Sequence, residues 1–558
     1  MLSACALAVG DMMDGIVVGQ RMGVTGLAAV SLALPAFMVM NVIMHGLGLG
    51  GAVRFAEQMA QGKRDEAVRG FQGVLAAAVL LGAGLAALVN VFLTPLLALL
   101  GTTAADGALY GASRTYLRIT LSGMPLFFAA YVTNYFLRND DSERRASVGF
   151  TVGNGCDILL NVVFVLLLGQ GVAGAAWATL AGQAAALCIY LPGLFGKGGS
   201  LRLLPLRPAL RGVPACFRAG FASSSQYLFS MVFLLTANRF LLRSVGSAGV
   251  AVFDVVQNVS FLVTWLYDGT VKAAQPLLST YSGERNLAGR RETVRMALRW
   301  GLAAGAAAAL LIACFPGAVC LLFGLTEPAA AQLGRYALRV YALGALPAGV
   351  CLLLEGCYQA CGEEKRAYLL TALRGAAVLL PVTFLFAALG GRLFWWLYPV
   401  TELLALAVFA LWHRRFSPKE TGDEAARVCT ATIRSRNAEL AGLLARLEAF
   451  CERWEATPQQ SYFVQVAAEE LCAAIMKQGF AGADGYLQVT VIAEETGGFS
   501  LHLRDNAAPF DPFSLRTARA GGAEAFDPDA LGMLVVREKS KEFFYRRYQG
   551  FNTLTVRI

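Results

Sequence analysis

Stretches of mostly apolar residues, each long enough for a helix of about 20 residues, recur from the first residue to Trp412. A helix of that length crosses a hydrocarbon core about 30 Å thick, rising about 1.5 Å per residue. Lipid offers the backbone no water to bond, so a crossing segment must satisfy its own N–H and C=O groups. Twelve such segments are expected, near residues 1–19, 26–53, 70–99, 115–137, 146–168, 172–195, 219–242, 248–279, 297–324, 332–359, 367–389 and 393–412. Composition agrees. The chain is 56% hydrophobic and 15% charged, whereas soluble chains carry about 25% charged residues. The expected fold is an all-α polytopic membrane protein with twelve transmembrane helices, followed by a small soluble α/β sandwich domain at the C-terminus.

The formal charge of +9 does not call for nucleic acid, because Lys and Arg gather in the joints between apolar runs. Alternate joints and the start of the tail hold twenty-one basic residues, from Arg54 to Lys419, and the other joints hold seven. Basic residues favour the cytoplasmic side, which places both termini there, in a multi-pass protein of the plasma membrane. The twelve cysteines lie mostly within apolar segments and form no Cys-x-x-Cys pair, so neither a zinc site nor a disulfide framework is indicated. The N-terminus lacks the basic start of a cleavable signal peptide.

The longest inner joint, 196–218, contains Pro205, Pro208 and Pro214 and sits nearly midway along the apolar region. It reads as the join between two lobes. Displacing the sequence by 223 positions lays Gly23, Gly26, Ala28 and Gly46 on Gly246, Gly249, Ala251 and Gly269. Two pseudo-repeated six-helix lobes are therefore expected, with a substrate path between them. The domain boundaries follow: 1–195 and 219–413 for the lobes, 196–218 for the loop, 414–424 for a linker and 425–558 for the soluble domain.

An ionisable side chain inside a span is costly and by default marks an ion or substrate path. The first lobe offers Asp11, Asp14, His45 and Asp157. Asp157 and Asn161 are four apart and share a helix face, and Thr179 adds a hydroxyl. Carboxylates among neutral oxygens suit a proton or Na+, since close carboxylates raise one another's proton affinity and oxygens replace a hydration shell. In the second lobe Asp254, Asp268 and Lys272 share one span, and Glu355, Arg374 and Glu402 lie in later ones. Pairing between helices explains these as well as substrate contact does. His45, Asp268 and Glu402 are the substrate-cleft candidates, Asp268 being the counterpart of His45 by the repeat offset.

The run Asp14-Gly-Ile-Val-Val-Gly19, with Gly23 and Leu27-Ala-Ala-Val30, resembles the first-span signature of the MATE multidrug and toxic-compound extrusion carriers. Gly174-Ala-Ala-Trp-Ala-Thr179, and Gln275-Pro276 followed by Gly283 and Asn286, resemble further motifs of that family. The resemblance spans residues 1 to about 412 and implies a cation-coupled efflux carrier. It also implies a cation site at Asp14, Asp157, Asn161 and Thr179. The family order is Asn then Asp along the fifth span, whereas here Asp157 precedes Asn161. The carboxylate is thus displaced by one turn, about 5.4 Å. No Gly-x-x-x-x-Gly-Lys-[Ser/Thr] loop occurs to cradle ATP phosphates, so an ion gradient is the expected energy source.

Beyond Arg415 the sequence becomes mixed. Amphipathic helices are expected over 425–454 and 459–478, strands over 487–493 and 499–504, a helix over 532–541, and strands over 543–548 and 553–558. Glu469-Glu470-Leu471, Asp505-Asn-Ala-Ala-Pro-Phe-Asp-Pro512 and Leu531-Gly532-Met533 resemble the histidine-kinase-type ATPase fold, especially the anti-sigma-factor kinases. The resemblance implies nucleotide-binding candidates at Glu469, Glu470, Asp505 and Gly532. Ala474 stands where that family places its magnesium-binding Asn, so the domain is expected to be degenerate, with a regulatory protein partner and no required cofactor. Two other readings stay open on sequence, a lipid-linked saccharide flippase and a membrane signalling protein with the tail as output. The leading expectation is a secondary antiporter that exports amphipathic organic compounds, cations among them, in exchange for H+ or Na+.

Overall fold

The computed structural model describes every residue except 1, 61–63, 140–142, 196–200, 202–209, 284–285, 417–425, 435–436, 482–483, 495–496, 515–527 and 549–550. Most of the expected inter-lobe loop and linker therefore lies outside the described residues, as does the side chain of Asp11. The chain divides into two compact units. The first comprises Met1–Ala273, Ala297–Gln359 and Glu363–His413; the second comprises Ala274–Met296, Ala360–Gly362 and Arg414–Ile558.

The first unit is built from α1 (Leu2–Ala60), α2 (Arg64–Val91), α3 (Leu93–Leu100), α4 (Ala108–Ser122), α5 (Met124–Asn139), α6 (Glu143–Asn161) and α7 (Gly171–Phe195). After these come α8 (Val213–Ser244), α9 (Ser247–Gly283), α10 (Leu287–Cys314), α11 (Pro316–Leu322) and α12 (Pro328–Ala360), then α13 (Glu364–Ala372), α14 (Leu379–Leu389) and α15 (Leu397–Phe416), of which residues 274–283, 287–296, 360 and 414–416 belong to the second unit. Among the described residues, nine helices are long and apolar enough to cross a bilayer.

The first two expected spans run together as α1, interrupted at Gly23, whose φ of 56° and ψ of −139° suit only a residue without Cβ. Its counterpart by the 223 offset, Gly246, has φ +83° at the turn from α8 to α9. Both glycines thus hold a positive φ at a break between helical segments. Large apolar side chains such as Leu80, Val91, Leu167, Leu310 and Leu411 are 65–75% exposed. Water would penalise such a surface and lipid does not. Between helices the packing relies on small residues. Asn238 of α8 donates its Nδ2 to the Ser31 carbonyl of α1 at 2.7 Å, and both are fully buried.

The second unit carries a five-stranded antiparallel sheet in the order β1-β2-β3-β5-β4. The strands are β1 (Val428–Arg434), β2 (Tyr486–Ala493), β3 (Phe499–Asp505), β4 (Glu542–Tyr548) and β5 (Phe551–Arg557). The helices are α16 (Asn437–Arg453), α17 (Pro458–Ala474) and α18 (Pro528–Lys539). Leu503 pairs with Val489 and Leu554 across the sheet, and that face joins Leu447, Val464 and Leu471 in one core. One expectation is corrected. The first helix does not start at 425: Val428-Cys-Thr-Ala-Thr-Ile433 forms β1, because its period-two alternation and β-branched residues fit a pleated strand. Thr457 caps α17 by accepting from the Gln460 amide.

Candidate functional site

Asp14 lies in the first half of α1 and faces α6 and α7. Asn161, fully buried at the end of α6, donates its Nδ2 to Asp14 Oδ1 in a short hydrogen bond and to Asp157 Oδ1 at 3.1 Å. Thr179 Oγ1 of α7 lies 3.5 Å from the other Asp14 oxygen and also donates to the Ala175 carbonyl at 3.1 Å. A single amide thus bridges two carboxylates that would otherwise repel. Asn161 Oδ1 is buried with no hydrogen-bond partner among the described residues, which leaves one oxygen available beside both acids.

Local sequence builds this cluster. A methyl group on Gly182 of α7 would lie 2.7 Å from the Gly153 carbonyl and 2.9 Å from Asp157 Cβ, so only glycine lets α6 approach closely enough. Directly after Asn161 the helix widens into a π turn, Val162–Leu167. Such turns recur at functional sites because they redirect side chains within a helix. The structure brings together the four residues that the sequence singles out, Asp14, Asp157, Asn161 and Thr179, and sets near them Tyr116 of α4, which the sequence does not single out. That phenol is 5% exposed and within electrostatic range of Asp14, Asp157 and Asp254. A Tyr among apolar neighbours carries no sequence signal that would single it out.

The three cleft candidates do not come together. His45 Nε2 and the Tyr227 hydroxyl share a hydrogen bond of 2.8 Å, with Tyr135 edge-on to the imidazole. Asp268 pairs with Lys272 at 2.6 Å, with both side chains substantially exposed. Glu402 is held by a two-pronged bond from Arg374, at 2.7 and 2.8 Å, while Glu355 lies 3.5 Å from the same guanidinium and accepts from Thr371 at 2.6 Å. A second π turn, Leu373–Ala377, contains Arg374.

In the soluble unit, Asp505 is 3% exposed and its Oδ1 accepts from Asn552 Nδ2 at 2.7 Å and the Ala507 amide at 2.9 Å. Glu470 packs its carboxylate against Gly532, where a methyl group would collide with it. Glu469 is exposed, and Ala474 is buried just before a third π turn, Ile475–Gly479. Asn552, absent from the sequence-based candidates, ties the last strand to Asp505. Burial pushes the Cys472 thiol of α17 well up, and the Asp505 carboxylate adds to that.

The MatE family model matches residues 1–164 and 219–385. The chain belongs to the MATE family of membrane transporters. Residues 433–558 match the histidine kinase-like ATPase domain, so a carrier is fused to an ATPase-like tail. The multidrug export protein MepA of Staphylococcus aureus (strain NCTC 8325 / PS 47) is 22% identical over 403 residues, which cover 69% of this chain and 85% of that protein. The probable multidrug resistance protein YoeA of Bacillus subtilis (strain 168) is 27% identical over 198 residues, covering 34% of this chain and 42% of that protein. Among solved structures, an inward-facing multidrug resistance MATE family transporter of the MOP superfamily superposes with TM-score 0.64. Its identity is 24%, and the match covers 73% of this chain and 93% of that one. The MATE multidrug transporter DinF-BH gives TM-score 0.57 at 24% identity, over 74% of this carrier and 92% of that chain.

Proposed function

We propose that the carrier is a secondary antiporter that exports amphipathic organic compounds in exchange for H+ or Na+, with Asp14 as its coupling carboxylate. The observation that carries this reading is the Asp14–Asn161–Asp157 cluster. Two carboxylates bridged by one amide in a membrane bundle need a proton or a small cation to offset their repulsion and the cost of burial. A cation that binds there on one side of the membrane and leaves on the other links the two faces of the carrier thermodynamically. Thr179 and the open Asn161 oxygen are the neutral ligands of the site. The names of the MepA and YoeA relatives support organic compounds as cargo.

The tail is proposed to regulate the carrier and not to power it. Support comes from Asp505, whose Oδ1 is already engaged by Asn552 and Ala507, and from Ala474, which has no side-chain oxygen for a hard cation. Both termini are placed in the cytoplasm, on the charge asymmetry of the loops. Purified carrier in vesicles, loaded with ethidium and given an inward H+ or Na+ gradient, should expel the dye. Efflux indifferent to both gradients would sink the antiport reading.

A further inference from the structure

We propose that Asp254 and Asn258 form a second seat for a small monovalent cation, a proton or Na+, on the second-lobe side of α1. This rests on reading the chain as a cation-coupled carrier and extends it from one seat to two. The first ground is a repeated device. Asp157-Ile-Leu-Leu-Asn161 on α6 and Asp254-Val-Val-Gln-Asn258 on α9 have the same spacing. In both, the amide donates to the carboxylate one turn earlier at 3.1 Å.

The second ground is burial without a countercharge. Asp254 is 1% exposed within the buried run 250–256. Its carboxylate receives one hydrogen bond, from Asn258, and no Lys or Arg among the described residues pairs with it. Glu402 and Asp268, by contrast, both have a cationic partner. A bare carboxylate with a single neutral donor is not sustained in a dry interior. It is neutralised by a proton or a bound cation. The same amide oxygen that makes Asn161 a ligand is present on Asn258.

The third ground is position. A methyl group on Gly15 would lie 3.3 Å from Asn258 Nδ2 and 3.6 Å from Asp254 Oδ2. The residue preceding Gly15 is Asp14, so the two Asp–Asn pairs flank one turn of α1 from opposite lobes. Tyr116 of α4 is within electrostatic range of Asp254, and also of Asp14 and Asp157.

The test uses the full-length protein in lipid and needs no transported compound. In the proton arm, infrared difference spectra between acid and alkaline pH should show a protonated-carboxyl band that is lost in Asp254→Asn and kept in Asp14→Asn. In the sodium arm, equilibrium binding of radioactive Na+ at alkaline pH should show one ion fewer for Asp254→Asn than for wild type. Either loss supports the seat and names its ion. Spectra and isotherms of Asp254→Asn that both coincide with wild type overturn it. Asn258→Ala, which retains the carboxylate, should shift the midpoint of the band or weaken Na+ binding several-fold. No change there overturns the paired seat even if Asp254→Asn folds poorly. Failure here with intact ion-driven efflux would leave the antiport reading standing, whereas efflux indifferent to ions would remove that reading directly.

Discussion

Asp14 and Asp157 share the Asn161 amide, so each is affected by any change in the other. Asp14→Asn keeps the shape but removes the titrating group and the charge a cation would neutralise. Gradient-driven dye efflux should drop to background while the variant still inserts. Asp157→Asn removes one charge-assisted hydrogen bond and should slow efflux about tenfold, on a loss of about 1.5 kcal/mol. Normal efflux by Asp14→Asn would exclude it as the coupling group. These residues are legible in sequence because an acid in an apolar run stands out, as is Asp254. Tyr116 and Asn552 are not, because their meaning depends on which distant residues they face. The spacing of Asp254 and Asn258 is visible in the sequence, yet it gains weight only once α9 is seen against Gly15.

At the level of elements, turns between helices are readable from glycine and charge, whereas helix irregularities are not. Nothing in Val162-Val-Phe-Val-Leu-Leu167 distinguishes a π turn from ordinary helix, since the extra residue per turn is imposed by packing against neighbours. The opening strand of the tail reads as helix in the sequence because its apolar residues adjoin the genuine amphipathic α16. Gly23 carries a backbone geometry that side chains resist. Gly23→Ala should cost about 1–3 kcal/mol, seen as a lower unfolding temperature in detergent. An Ala variant as stable as wild type would mean that α1 can relax at that point. His502 on β3 gives a pH-dependent element. Burial lowers it from 6.5 to about 4, with Glu494 opposing that shift and Arg557 and Arg504 assisting. Its folded-state value is depressed, so the unfolded tail binds the extra proton first. The stability it contributes is complete above pH 6.5 and is lost as pH falls through about 4. Isolated residues 425–558 should melt at progressively lower temperature across that window. His502→Gln should flatten the dependence, and an unchanged slope would refute the assignment.

At the scale of the whole molecule, the second unit takes in 274–296 together with the tail. Within it, the Arg504 guanidinium of β3 lies 5.0 Å from the ring centre of Tyr281, near the end of α9. Arg504 is 8% exposed, so the contact is desolvated, where a cation–aromatic pair is worth about 2 kcal/mol. Tyr281 and Asp254 lie on the same helix, α9. Removing the tail should therefore change the rate or stability of transport without abolishing it, because the candidate ion residues all lie in the first unit. Protein ending near Lys419 should retain ion-driven ethidium efflux, and Tyr281→Ala in the full chain should shift the rate in the same direction as truncation. Isolated residues 425–558 should show little ATP hydrolysis, with nucleotide affinity depending weakly on magnesium, since Ala474 offers no oxygen to a hard cation. Loss of transport on truncation, restored only by the intact tail with ATP, would instead make the tail a nucleotide-driven gate.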